Sequence, residues 1–320
     1  MLLVVYFAKR VLTVNFLSDQ AKINTKMIDG ILRTNVVDNE TVRVANFYRV
    51  APFPNYEGFE TKAHLNKVLA SNSFLKDLKE TIGLGKKFIE VGSGTSQLSL
   101  AMATGTNNLV VALDPTLESL ELGKRFACSQ EIDNVVFLQA DIFEDPIQSD
   151  YFDCVWCSGV LHHTQDPKQG FEIITRWAKK DGLIILGLYN RIGRLRTYFR
   201  KILYLMCGRS FFGQKVVRFF DPRLRGKGWQ IRERAWFRDQ YQHPVETAHS
   251  IDEVLNWFRE NEIEFLGAIP SLNLDGRLEK ISEMDGKTAN FIDRIIAQIL
   301  LIFTKSGSDG GVFIVVGRKK

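Results

Sequence analysis

The residues of this 320-residue chain that could do chemistry fall at the ends of successive short apolar runs. The first run ends in Phe88-Ile-Glu90-Val-Gly92-Ser93-Gly94-Thr-Ser96-Gln97. Glycines at a strand-to-helix turn let the backbone approach a ligand where a Cβ would collide. The helix that follows directs free N–H groups at that ligand. A plain tight turn has the same pattern, so the glycines alone decide little. Asp114 ends the next run, 22 residues beyond Gly92, with Pro115 after it. An acid at the carboxyl edge of an open α/β sheet can accept bonds from both hydroxyls of a ribose. The third run ends in Ala140-Asp141-Ile142, which offers an acceptor for an adenine amino group beside an apolar wall, or a helix N-cap. After the fourth run come Ser158-Gly159 and the pair His162-His163. A histidine near neutral pKa can take a proton from a hydroxyl; the alternative is a packed ring bonded to backbone.

These residues need a scaffold that brings strand ends together. From residue 86 the chain alternates apolar runs at 87–91, 109–113, 135–140, 152–157 and 183–188 with helical stretches such as 98–103, 117–127 and 167–178. That alternation predicts a parallel sheet with crossover helices. Pro115 and Pro167 suit first helical turns. The rhythm breaks after Tyr189 and resumes at Ser250-Ile-Asp-Glu253, a capping box. Ile251, Val254, Leu255 and Phe258 follow at helical spacing, then strands at 263–269 and 312–316. The expected fold class is α/β: a Rossmann-like, seven-stranded, mostly parallel sheet with helices on both faces, the last strand antiparallel, plus helical insertions.

Together these motifs resemble a class I S-adenosylmethionine-dependent methyltransferase, in its small-molecule branch. Glu90-x-Gly92-x-Gly94 is similar to the family's acidic-Gly-x-Gly signature, Asp114 to its ribose acid, and Asp141-Ile142 to its adenine pair. Phe152-Asp-Cys-Val-Trp156-Cys-Ser158-Gly159-Val-Leu-His162-His163-Thr-Gln-Asp166-Pro167 resembles its fourth-strand segment, often FDxVxxxxVLHHxxDP. The resemblance covers 86–190 closely, and 250–270 with 311–320 by topology. It implies S-adenosyl-L-methionine as cofactor, held by Glu90, Gly92, Ser93, Gly94, Asp114, Pro115, Asp141, Ile142, Ser158 and Gly159. It also implies methyl transfer to a small molecule at an O, N or C atom. There the enzyme's main task is alignment and water exclusion. His162 and His163 are candidate bases, needed only if the nucleophile arrives protonated. Two positions depart from the family: Ser96 stands for its third glycine, and Lys180-Asp181 for the Pro-Gly of its K-P-G-G turn. A nicotinamide enzyme would want glycine at position 97, where Gln97 stands.

The resemblance divides the chain into an N-terminal segment at 1–50, a cofactor-covering region at 51–85, and a core of 86–190, 250–272 and 311–320. A basic aromatic insertion at 191–249 is expected to roof the substrate, and a helical insertion at 273–310 separates the last two strands. In the proline- and aromatic-rich stretch 51–62, Tyr56 is the expected lid residue over the cofactor's methionine end. The cluster Asp239-Gln-Tyr241-Gln-His243-Pro-Val-Glu246-Thr-Ala-His249 is placed to bind substrate, with a metal through His243, Glu246 and His249 as the lesser alternative. No metal is expected in the core site.

Charge is uneven. Residues 191–238 hold fourteen Lys/Arg against Asp221 and Glu233, a net +12 that leaves −7 for the remainder of a +5 chain. Ten aromatic residues lie in the same stretch, so much of it is expected to pack inward. Such a surface suits an acidic small molecule, an anionic membrane or RNA phosphates, in that order of expectation; no DNA is expected. A lipid or RNA methyltransferase is the alternative function. A non-catalytic binding subunit is a further one, motivated by Ser96 and the altered turn. Four cysteines are too few for a disulfide framework in a chain this long. Cys154 and Cys157 would lie on opposite faces of one strand. No apolar run reaches the roughly 18 residues of a membrane span. The charges after the apolar residues 1–8 reverse the order of a signal peptide, so a cytoplasmic location is expected. Met27 is an alternative start.

Overall fold

The sheet is built from short runs of aliphatic residues that are buried on both sides, as parallel strands under crossover helices must be. In the computed structural model, residues 14–36, 38–50, 52–53, 56, 61–208, 210–224, 231–272, 280–284, 286–303 and 311–320 are described. The strands are β1 (Lys26–Ile28), β2 (Ile31–Arg33), β3 (Lys87–Val91), β4 (Leu109–Asp114), β5 (Val135–Gln139), β6 (Phe152–Ser158), β7 (Ala178–Tyr189), β8 (Ile263–Ile269) and β9 (Val312–Lys319). They form one sheet in the order β1-β2-β5-β4-β3-β6-β7-β9-β8. β3 to β7 are parallel to one another, whereas β9 runs antiparallel to both β7 and β8. The strand order reverses between β3 and β6. A crevice opens at such a point beyond the carboxyl ends of the strands.

All seven expected strands are present, and the last is antiparallel as anticipated. Among the described residues the count is nine because β1 and β2 add a hairpin at the sheet edge, β2 pairing parallel with β5. The hairpin turns at Asp29-Gly30, both at positive φ (51° and 72°), the backbone a tight two-residue hairpin needs. Strands of three residues, one of them exposed along its whole length, carry too little alternation to be read from sequence. The N-terminal segment also enters the core. Phe16 and Leu17 are fully buried, and Ser18 N–H donates to Pro146 O at 3.0 Å.

Side chains alternate across the sheet into two hydrophobic layers. On β6, Cys154 and Trp156 face one layer while Val155 and Cys157 face the other. Burial pushes both thiols well above their ordinary range, so they act as small apolar side chains. Helix starts follow the expected caps. Asp166 caps the helix Pro167–Trp177 with Pro167 in its first turn. Ser250 and Glu253 form the reciprocal capping box of the helix Ile251–Glu260. Pro115 differs from expectation: it precedes the N-cap Thr116, and the helix begins at Leu117.

Among its described residues the 191–249 insertion contains the α-helices Leu195–Met206, Phe211–Phe220 and Ile231–Gln242 and the short turn Pro222–Leu224. Its aromatics do not pack inward as a set. Tyr204 and Phe237 are buried, but Phe199, Phe211, Phe212, Phe219 and Phe220 are exposed. Trp229 lies outside the described residues. So do 1–13, much of 51–60, and 273–279, 285 and 304–310 of the last insertion, whose described part includes the helix Phe291–Leu300. No described helix is long and apolar enough to cross a membrane.

Candidate active site

The turn after β3 lines a cavity and carries three residues at positive φ. Gly92 sits at φ 67°, and a Cβ there would lie 2.3 Å from Val160 Cγ2, so only glycine fits. Gly94 follows at φ 51° and Ser96 at φ 64°. Ser96 therefore makes the left-handed turn that glycine would make more cheaply, by about 1–2 kcal/mol. Asp181 does the same at φ 62° in the turn of β7, so both departures from the family pattern keep the glycine-type backbone.

Two buried acids hold this turn. Glu90 Oε2 accepts from Ser99 N–H at 2.8 Å and from Ser99 Oγ at 2.5 Å, tying β3 to the first turn of the helix Gln97–Ala103. Burial raises the Glu90 carboxyl to about 8, against the pull of those bonds. Asp114 Oδ2 accepts from Gly94 N–H at 2.7 Å and Oδ1 from Thr116 N–H at 2.8 Å. Burial raises this carboxyl, opposed by those two N–H groups and by the Thr116 hydroxyl. Asp141 caps the short turn Ile142–Glu144 through Oδ1 to Phe143 N–H at 3.0 Å. Its Oδ2 is buried with no hydrogen-bond partner. Burial raises this carboxyl, opposed by the Phe143 N–H and the neighbouring Thr41 hydroxyl.

Glu90, Gly92, Ser93, Gly94, Asp114, Pro115, Asp141, Ile142, Ser158 and Gly159 all line one cavity of about 310 Å³. His163 lines it too; His162 and Tyr56 do not. Tyr56 instead stacks on Phe126, with ring centroids 4.6 Å apart, and donates its hydroxyl to Thr95 O at 2.6 Å. It braces the glycine turn from outside. The residues that cover the cavity were not singled out in the sequence: Thr41, Val44 and Tyr48 on the helix Asn39–Arg49, and Phe53 after it. The one signal was Asp38, whose carboxylate caps that helix at Thr41 N–H.

The histidines divide. His162 is fully buried, with its ring stacked on Tyr189 at 3.7 Å. Its Nδ1 accepts the Tyr189 N–H at 3.3 Å, which leaves the proton on a buried Nε2 without a partner. Burial and the neighbouring His163 push its pKa well down. His163 pairs Nδ1 with Val245 O at 2.8 Å, so the neutral ring keeps its lone pair on Nε2. Its pKa is also lowered by burial, with Asp239 acting in the opposite sense.

The far wall belongs to the insertion, which contributes Trp236, Asp239 and Gln240. Arg194 holds that wall in place. It is fully buried, forms a two-pronged pair with Glu246 (2.8 and 2.5 Å), donates to Gln240 Oε1 at 2.9 Å and lies 3.5 Å over the Tyr189 ring. Arg194 holds the Glu246 carboxyl below its usual range despite burial. Gln240 in turn donates to Asp239 Oδ2 at 2.7 Å and to Tyr189 Oη at 2.8 Å. The three side chains considered for a metal have separate partners. His243 meets Val245 O, Glu246 meets Arg194, and His249 meets Glu253. No cluster able to hold a metal occurs among the described residues.

A methyltransferase-domain family model matches residues 82–226. The chain is 23% identical over 255 residues to an uncharacterised protein of a Synechococcus strain, covering 72% of this chain and 60% of that protein. It is 32% identical over 113 residues to the ubiquinone biosynthesis O-methyltransferase of Haemophilus ducreyi, covering 33% of this chain and 47% of that one. The chain thus spans less than two thirds of the length of these curated relatives. Among solved structures it is similar to PKMT2 from Rickettsia typhi in complex with AdoHcy, at 13% identity and TM-score 0.53, over 77% of this chain and 52% of that one. That likeness is one of fold.

Proposed function

We propose that this chain, whose residues 82–226 carry a class I S-adenosylmethionine-dependent methyltransferase domain, binds that cofactor at the ends of β3 to β6 and methylates a small acceptor. The acceptor lies under the helix Ile231–Gln242. The observation that carries the proposal is one cavity reaching from the unpartnered Asp141 Oδ2 to His163, Tyr189 and Asp239. Its volume falls within the range of about 300–1,000 Å³ usual for small-molecule sites.

When bound, S-adenosylmethionine supplies an electrophilic methyl carbon. Asp114 and Asp141 would receive its ribose hydroxyls and adenine amino group, and the Gly92–Gly94 turn leaves room for its backbone-facing side. The helix Asn39–Arg49 closes over the cavity and excludes water, which strengthens every polar contact inside. His163 faces the acceptor side as a neutral imidazole and would take the proton of a hydroxyl acceptor at Nε2. An oxygen acceptor accords with the name of the Haemophilus ducreyi relative.

Titration calorimetry with S-adenosylmethionine and S-adenosylhomocysteine tests the cofactor site. Release of S-adenosylhomocysteine over fractionated metabolite extracts then tests turnover. Absence of binding to either compound would end the proposal. Binding without turnover on any fraction would make the chain a binding subunit.

A further inference from the structure

The insertion's first helix is built the wrong way round for water. On Leu195–Met206 the polar residues Thr197 and Arg200 point inward with Tyr204, while Leu195, Phe199, Ile202, Leu205 and Met206 point out. Met206 is 78% exposed and Phe199 56%, whereas Arg200 is 6% exposed, 3.8 Å from the buried Asp221. The next helix, Phe211–Phe220, repeats the pattern with Phe211, Phe212, Phe219 and Phe220 outward. The two apolar faces meet where the rings of Phe199 and Phe220 approach to 6.4 Å.

A third helix, distant in sequence, carries a face of the same kind. On Phe291–Leu300 the residues Phe291, Ile292, Ile296, Ile299 and Leu300 are exposed, a spacing that puts them on one side of a helix. Arg196 Nη1 donates to Ile302 O at 2.8 Å, joining the end of this helix to the start of the first. Of the 22 exposed large apolar side chains among the described residues, 14 belong to these three helices. Scattered exposed apolar residues are ordinary; a concentration of this kind marks an interaction surface.

The charges decide the partner. Arg191, Arg196, Lys215 and Arg223 are exposed around the patch. The acids of 191–238 are Asp221, 1% exposed and bonded to Tyr241 and Trp236, and the half-buried Glu233. Among the described residues of 191–238 the outward charges are cations, which repel a second copy of the same face. Eight of these fourteen side chains are Leu, Ile or Met, which offer nothing for nucleic-acid bases to stack on, whereas an acyl layer accepts them together with the six phenylalanines. Helices that pair apolar side chains with basic ones lie in the headgroup layer of anionic bilayers.

We propose that this three-helix face seats the protein on the surface of an anionic lipid bilayer. The attachment is peripheral, since no described helix is long enough to span. It goes beyond methyl transfer and is read out by binding, so either proposal can fail alone.

The test is sedimentation of the full chain with vesicles of equimolar phosphatidylglycerol and phosphatidylcholine, and with phosphatidylcholine alone. The expected result is pelleting with the anionic vesicles, weakening as salt rises. Phe212→Glu/Phe219→Glu should abolish it. Lys215→Glu should weaken it at least about fivefold. All variants should keep wild-type melting and S-adenosylhomocysteine binding, because these side chains point away from the cavity. Failure to pellet at low salt would overturn the proposal, as would equal pelleting with neutral vesicles or pelleting indifferent to the substitutions. A concentration-dependent dimer blocked by the same substitutions, without pelleting, would assign the face to a second copy. A salt-sensitive RNA gel shift without pelleting would assign it to RNA.

Discussion

The Tyr48 hydroxyl donates to Asp239 Oδ1 at 2.5 Å, joining two helices 191 residues apart in sequence across the top of the cavity. Arg238 adds a bond to Phe47 O at 3.1 Å beside it. The helix Asn39–Arg49 buries no side chain completely, so these contacts hold it down. Burial and the neighbouring Asp239 raise the Tyr48 hydroxyl pKa well above normal, which keeps it a donor at any ordinary pH. Tyr48→Phe should lower stability by about 1–3 kcal/mol, the cost of losing a bond to a buried charged partner. Amide exchange should accelerate within residues 39–49. Hydrogen exchange unchanged there would show that the bond does not fasten the cover.

Asp114 and Asp141 should separate in their effects. Asp114→Ala removes an acceptor for Gly94 and Thr116 N–H, so it should loosen the glycine turn as well as weaken cofactor binding. Asp141→Asn keeps an oxygen for Phe143 N–H and puts a donor NH2 in place of the orphaned Oδ2. Both should lower affinity for S-adenosylhomocysteine by about 1.5–3 kcal/mol, or tenfold to over a hundredfold. Only the alanine variant should also melt earlier. Calorimetry beside thermal melting reads both quantities. Wild-type affinity in Asp141→Asn would remove that residue from the ligand.

His163→Ala should abolish most turnover on a hydroxyl acceptor while cofactor affinity stays near wild type, the split expected of a base. His162→Ala should act through the fold. It empties a site stacked on Tyr189 and orphans a backbone N–H, at a cost of roughly 2–5 kcal/mol. Equal turnover in His163→Ala and wild type, once an acceptor is known, would reduce His163 to a wall of the cavity.

Glu90 makes stability depend on pH in the direction opposite to that of most carboxylates. Its folded pKa of about 8 lies above the unfolded value of 4.5. The folded state therefore binds more protons between those values, and stability falls as pH rises through the window. The contribution is fully present below the unfolded value and lost above the folded one. Glu90→Gln keeps an acceptor for Ser99 without the ionisation. Relative to wild type, it should gain stability from about pH 5 to about pH 9. Denaturant midpoints that keep a constant difference across that range would show that Glu90 does not titrate as described.

The sequence alone determined the parallel core and the edge on which the site lies, because those features are local. Each of β3 to β6 is a mainly apolar, largely buried run closed by a polar or glycine turn. Glu90, Gly92, Asp114, Asp141 and His163 sit within a few residues of those closures. Even the departures at Ser96 and Asp181 are local, since each adopts the positive φ that glycine would have supplied. What covers the site was decided only by tertiary structure. Tyr48, Tyr189, Asp239 and Arg194 come from separate elements and meet through long-range hydrogen bonds that no periodicity records. The two adjacent histidines were equivalent in the sequence, and only packing separated them by closing one ring inside the core and leaving the other on the cavity wall. The same holds for the insertion. Aromatic content suggested inward packing, but helical phase against the fold turned Arg200 in and Phe199 out, because the buried Asp221 gave the cation a partner that no apolar side chain could satisfy.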